Sequence, residues 1–167
     1  RALALWEVLA RSHRPTAVVG WPLSYPALAS STVLVSDRFF SAEGSDPELA
    51  FPADLVQRGR LFRVDTNSLD PQERARYAGA PEFVLKAHAA DLWRLAIAQR
   101  LLLEYPQLQG GFLYLPGLST LSRNYYGGFA AAQAGKAAGQ EERLAQRLLI
   151  AYLSHLDHEL AGFWRRM

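Results

Sequence analysis

The chain has 167 residues, 50% of them apolar, which is enough for one sizeable core at the usual ~100–200 residues per domain. Its 18 Lys and Arg against 16 Asp and Glu leave a net charge of +2 spread along the sequence, which argues against a nucleic-acid-binding surface. The absence of cysteine excludes disulfides, thiolate nucleophiles and Cys-type zinc sites. No run of ~18 apolar residues free of charge is present to span a bilayer.

Residues 1–11 carry Leu3, Leu5, Trp6, Leu9 and Ala10 at helical spacing and predict an amphipathic helix stopped by His13-Arg14-Pro15. Residues 17–21, AVVGW, form a short continuous apolar run, the mark of a buried, parallel strand. The Pro-, Ser- and Ala-rich residues 22–31 read as loop, and residues 32–36, TVLVS, as a second strand. Asp37-Arg38-Phe39-Phe40 then leads into a polar loop, SAEGSDPE.

Residues 51–56 predict one helical turn with Pro52 at its start, and residues 61–64 a brief extended piece. Asp70-Pro71-Gln72-Glu73 has the order of a capping box with a first-turn proline, opening a short helix that ends near Gly79. Residues 81–104 predict a long amphipathic helix ended by Pro106. Residues 112–115 read as strand, residues 116–128 as a hydroxyl-rich loop, and residues 130–139 as a small-residue linker. Residues 141–164 close the chain as a helix with the stripe Ala145, Leu149, Tyr152, Leu156, Leu160 and Phe163. Strands alternating with helices give an α/β fold with a mostly parallel sheet flanked by helices. The sequence starts at Arg1 without an initiator methionine or a signal-peptide pattern, and reads as a single partial domain of a longer protein.

The order of pieces resembles the type I phosphodiesterase/nucleotide pyrophosphatase branch of the alkaline phosphatase superfamily. The matching residues are Trp6 in the first helix, Val18, Val19, Gly20, Trp21 and Pro26 in a V-V-G-W-x-x-x-x-P run, and Val33, Val35, Ser36, Asp37 and Arg38 in a V-x-V-S-D-R run. FPADL, the DPQERARY helix, the long helix with Asp91 and the strand ending FLYLPGLSTLSR follow in the family's order. The resemblance implies the central part of an alkaline-phosphatase-like fold, with a nucleophile region upstream and an Asp-His region downstream, neither present here.

Members of that family use two metal ions, usually zinc, and a Ser or Thr nucleophile. The metal-binding motif that should fall inside this segment resembles G-x-D-x-x-S-H. Gly117 matches its Gly and Ser122 its Ser, but the Asp position is Ser119 and the His position is Arg123. Serine is a poor zinc ligand, and a guanidinium has no lone pair to donate. The resemblance therefore implies a degenerate metal site, no catalytic residue and no resident metal in this segment. It points to a non-catalytic domain acting as a structural or protein-binding subunit of a larger, membrane-associated assembly. The alternative is a zinc-dependent phosphodiesterase whose remaining machinery lies elsewhere. An extracytoplasmic or periplasmic location follows from the resemblance alone.

Asp37, Arg38, Ser122, Asn124, Tyr125 and Tyr126 are the candidate pocket or partner contacts. Asp37-Arg38 reads as an ion pair or strand-end anchor, and the two tyrosines as packing residues or a stacking surface. His155 and His158, three apart on a helix, could share a face and a metal, although packing or surface roles are the simpler reading. His88 and Asp91 read as makers of local hydrogen bonds. Trp6, Trp21, Trp93 and Trp164 are core aromatics by type.

Overall fold

The computed structural model describes residues 3–28, 32–134 and 139–165. They form two compact units, one from Arg1–Arg63 and Trp93–Leu115, the other from Val64–Leu92 and Pro116–Met167.

The first unit is built on the apolar run of the early sequence. Strand β1 (Thr16–Val19) is buried along its whole length because it lies between two partners. It pairs in parallel with β2 (Val33–Val35) on one side and with β4 (Gly110–Leu113) on the other, while β3 (Ala50–Phe51) runs antiparallel to β2. The resulting order is β3-β2-β1-β4. A central strand covered on both faces has no use for polar alternation, which is why it reads as continuous Val and Ala. Helices α1 (Leu5–Arg11), α2 (Leu55–Arg60) and residues 93–104 of α4 (Glu82–Glu104) flank the sheet, giving the expected α/β class.

Two aromatic groups hold this unit. Phe39, Phe40 and Trp93 meet mainly edge to face with ring centroids 5.1–5.3 Å apart, and the Trp93 indole N–H donates to the Gly59 carbonyl at 2.9 Å. A Cβ at Gly59 would stand 2.9 Å from the Phe39 ring, so only glycine lets α2 approach this closely. Trp6, Trp21, Phe112 and Tyr114 form the second group at 5.9–6.4 Å. Such pairs add about 0.5–1.5 kcal/mol each beyond the area they bury.

The second unit is helical. It contains α3 (Pro71–Arg76), residues 82–92 of α4, α5 (Gly117–Gln133) and α6 (Gln140–Arg165). Its core is Tyr77, Val84, Leu121, Leu148, Leu149 and Tyr152. The predicted stripe of α6 splits, with Ala145, Leu149 and Tyr152 buried and Leu156, Leu160 and Phe163 half-buried.

One buried polar joint ties three of these helices. The Asp91 carboxylate on α4 accepts the Tyr152 hydroxyl of α6 at 2.6 Å and the Gly117 N–H at the start of α5 at 3.0 Å, both on Oδ2. Gly117 is fixed by this approach. A Cβ there would sit 1.6 Å from the Tyr152 oxygen and 2.5 Å from the Asp91 carboxylate.

Several expectations are corrected. The first helix starts at Leu5; Leu3 and Ala4 precede it, and residues 1–2 lie outside the described residues. Residues 37–40 and 47–49 are short 3-10 helices rather than plain loop. The helical turn expected over 51–56 is displaced: Ala50–Phe51 extends the sheet, a cis Phe51–Pro52 bond follows, and α2 begins at Leu55. Residues 61–62 form a turn and residues 63–64 have no regular structure, so the expected extended piece is not a strand. Asp70 caps α3 by accepting the Gln72 N–H at 2.7 Å, but Glu73 lies 3.7 Å from His155 Nδ1. The last strand begins at Gly110 and ends at Leu113. The hydroxyl-rich loop and the first part of the linker are α5, while residues 135–138 lie outside the described residues. Leu118, Leu121, Tyr125 and Phe129 recur at helical spacing and pack on the core, outweighing the turn-like Pro-Gly and Tyr-Tyr-Gly-Gly.

The joint makes a coupled prediction. Gly117→Ala should cost about 3 kcal/mol by overpacking, and Tyr152→Phe about 1.5–3 kcal/mol by removing a hydrogen bond to a buried carboxylate. Because Phe also takes away the atom nearest the new methyl, the double variant should lose at least about 1 kcal/mol less than the sum. Urea unfolding of the four proteins reads this directly, and strict additivity would refute the joint.

Candidate functional site

The residues singled out by sequence fall in both units. In the first, Asp37 opens the turn beyond the carboxyl end of β2, the usual location of ligand sites in open α/β sheets. Its carboxylate accepts the Leu23 N–H at 3.2 Å, and its own N–H donates to the Ser24 hydroxyl at 3.0 Å, which donates onward to the Trp21 carbonyl at 2.6 Å. Asp37 thus anchors the segment leaving β1 to the turn leaving β2. Held in this way, Leu23 adopts a left-handed φ of 63° with its side chain 93% exposed. Arg38 makes no ion pair with Asp37. Its guanidinium lies 4.4 Å from the Tyr25 ring centroid. Of the two roles expected for this pair, strand-end anchor is the one observed.

The remaining candidates are on α5, in the second unit. Ser119, Arg123 and Tyr126 stand at i, i+4 and i+7, and all three are exposed, forming an outward stripe. Asn124 is exposed and donates to the Thr120 carbonyl at 2.8 Å; Ser122 is half-buried. Tyr125 turns inward and stacks on Phe83 at 6.1 Å with ring planes 10° apart, so it packs. Tyr126 faces out, 6.4 Å from Phe129. Asn124 and Tyr125 also line an open groove of about 500 Å³ with Gly79, Pro81, Glu141 and Glu142. Serine, arginine and asparagine on this surface supply donors suited to an acidic or polar partner group, but no base or metal ligand.

A second constellation, missed by sequence reading, is buried in the same unit. Glu73 on α3, His88 on α4 and His155 on α6 bring one carboxylate oxygen and one nitrogen from each ring within 4.8 Å of one another. The two imidazole centroids are 4.0 Å apart. His88 Nδ1 lies 3.3 Å from the Tyr77 hydroxyl, and its Nε2 is buried without a hydrogen-bond partner. Burial first, then the neighbouring His155 and Arg76, hold His88 down to about 3. Burial likewise lowers His155, and raises the Tyr77 phenol. Both imidazoles are therefore neutral at pH 7. The pairing of His155 with His158 is not observed: His158 and Asp157 are exposed on α6, while His155 points inward to His88. His88 and Asp91 are both buried but serve different partners, Tyr77 and Tyr152.

The chain matches no protein-family model, no curated protein and no solved structure.

The depressed histidine gives a pH prediction. In the unfolded chain His88 takes up its proton near its ordinary value of 6.5, while the folded protein resists until about 3. The stability associated with neutral His88 is complete above pH 6.5 and falls as pH drops through that window, with a slope approaching about 1.4 kcal/mol per pH unit. In chelating buffer, His88→Gln should flatten the urea-derived stability between pH 6 and 4 by about 1 kcal/mol per pH unit. An unchanged slope would mean that His88 is solvated and titrates normally.

Proposed function

We propose that this chain is a non-catalytic, alkaline-phosphatase-like domain that serves as a structural or protein-binding element of a larger extracytoplasmic assembly. The observation that carries the reading is the pair Ser119 and Arg123. The family pattern sets an Asp and a His at these positions to hold a metal. Here they are one helical turn apart on α5, both exposed on the same stripe. The spacing that would let two ligands share an ion is retained, and the ligand chemistry is gone. A guanidinium at the imidazole position repels a dication and favours a carboxylate or phosphate group instead.

The outward stripe supports a binding role. Arg123 and Tyr126 are the residue types most enriched at protein interfaces, and Tyr126 is 63% exposed on a helix whose other face is committed to the core. Among the described residues no helix is long and apolar enough to cross a membrane.

Two measurements test the reading. The chain should show no chelator-sensitive hydrolysis of bis-p-nitrophenyl phosphate; turnover that disappears with chelator and returns with zinc would replace it with the phosphodiesterase alternative. Restoring the pattern by Ser119→Asp with Arg123→His should add one zinc equivalent beyond whatever the parent binds, read by isothermal titration. No added equivalent would refute the alignment on which the reading stands.

A further inference from the structure

We propose that Glu73, His88 and His155 form a binding site for a zinc-type divalent transition metal that ties α3, α4 and α6 together. The site shares no residue with the degenerate positions on α5 and does not depend on the reading given to them.

The donor set selects the metal. Two imidazoles and one carboxylate suit zinc and its neighbours in the first transition row. They do not suit calcium or magnesium, which need oxygen ligands and would find one carboxylate here. Nitrogen ligands must be unprotonated to bind, and burial of both rings favours that form.

The strongest sign is the unused nitrogen. A buried polar atom with no partner is uncommon, because it forfeits its hydration without return. His88 Nε2 is such an atom. If Nδ1 carries the proton and donates it to the Tyr77 oxygen, the Nε2 lone pair is left for a metal, the arrangement that fixes tautomer and ring direction in metal-binding histidines. Packing of two neutral rings accounts for their 4.0 Å separation but leaves Nε2 with nothing to do.

The distances are reachable. Ligand atoms of a tetrahedral zinc site stand about 3.3 Å apart, given zinc–ligand bonds of about 2.0–2.1 Å. The three donors, within 4.8 Å of one another, have to close by roughly 1–1.5 Å, a side-chain adjustment. The Glu73 side chain is 26% exposed and offers the way in. Beyond burial, His155 feels Glu159, which raises it, and Arg76 and the exposed His158, which lower it.

The test uses the intact chain stripped with chelator. Titration with zinc should fill one site and raise the thermal midpoint by roughly 5–10 °C at a hundredfold excess over Kd. Cobalt(II) should give the visible absorption of a four-coordinate ion. Glu73→Gln, on a half-buried residue that leaves the core intact, should weaken binding at least tenfold, and His155→Gln should abolish it. Tyr77→Phe should weaken it tenfold to a hundredfold through the lost hydrogen bond to Nδ1. His158→Gln should leave it unchanged, since that histidine is exposed. The proposal is overturned if the folded parent takes up no zinc, if uptake survives both Glu73→Gln and His155→Gln, or if it vanishes with His158→Gln. Phosphodiester hydrolysis enters none of these readouts, so their failure says nothing about α5.

Discussion

The second unit depends on one buried carboxylate. Asp91 is 4% exposed, and a carboxyl group so placed is tolerable only if hydrogen-bond partners reach it. Tyr152 and the Gly117 N–H supply two, from different helices. Because unmaking either bond leaves a buried polar group short of a partner, the penalty is larger than the bond itself is worth, which fixes α5 and α6 against α4 more sharply than apolar packing would. The hydrophobic contacts around it, Leu121 with Leu148 and Leu149, supply most of the stabilisation but tolerate sliding. The carboxylate sets the register and the apolar residues supply the depth.

That division of labour explains what could be read from the sequence. The parallel strands were legible because a twice-covered strand must be apolar throughout, and TAVV and VLV have no other economical explanation. The long helices α4 and α6 were legible from period and length. The region 117–133 was misread because Pro116-Gly117 and Tyr125-Tyr126-Gly127-Gly128 carry strong local turn signals. Gly117 is in fact a close-packing glycine, a role visible only once Tyr152 and Asp91 are brought beside it. The extended piece expected at 61–64 failed for the opposite reason. Leu61, Phe62 and Val64 around Arg63 have the residue types of a short strand, but among the described residues no strand pairs with them.

The candidate sites divide along the same line. Asp37 was recognisable as a strand-end residue because only Ser36 separates it from the run Val33–Val35. Ser119 and Arg123 were singled out because they fall at the Asp and His positions of the G-x-D-x-x-S-H pattern that this stretch resembles, while the helix that carries them was not foreseen. The group of Glu73, His88 and His155 joins positions far apart in sequence, so no local motif contains it. Each member instead had a plausible local partner: Glu73 the cap at Asp70, His88 the neighbouring Asp91, and His155 the neighbouring His158. Tertiary packing overrode all three. A lone histidine on the apolar side of an amphipathic helix is the available hint, and it indicates burial without naming the partner.

The placement of the tryptophans has a spectroscopic consequence. Trp6, Trp21 and Trp93 all belong to the first unit's aromatic groups, whereas the second unit keeps tyrosines in its core and carries Trp164 at 72% exposure near the end of α6. Because Trp164 is already exposed, the change in indole emission on unfolding reports mainly the first unit, and most of the far-ultraviolet helical signal comes from the helices of the other unit. Fluorescence and circular dichroism on one sample thus act as reporters of separate halves of the chain. Whether their midpoints coincide measures how far the continuous helix α4, which serves both units, makes them melt as one.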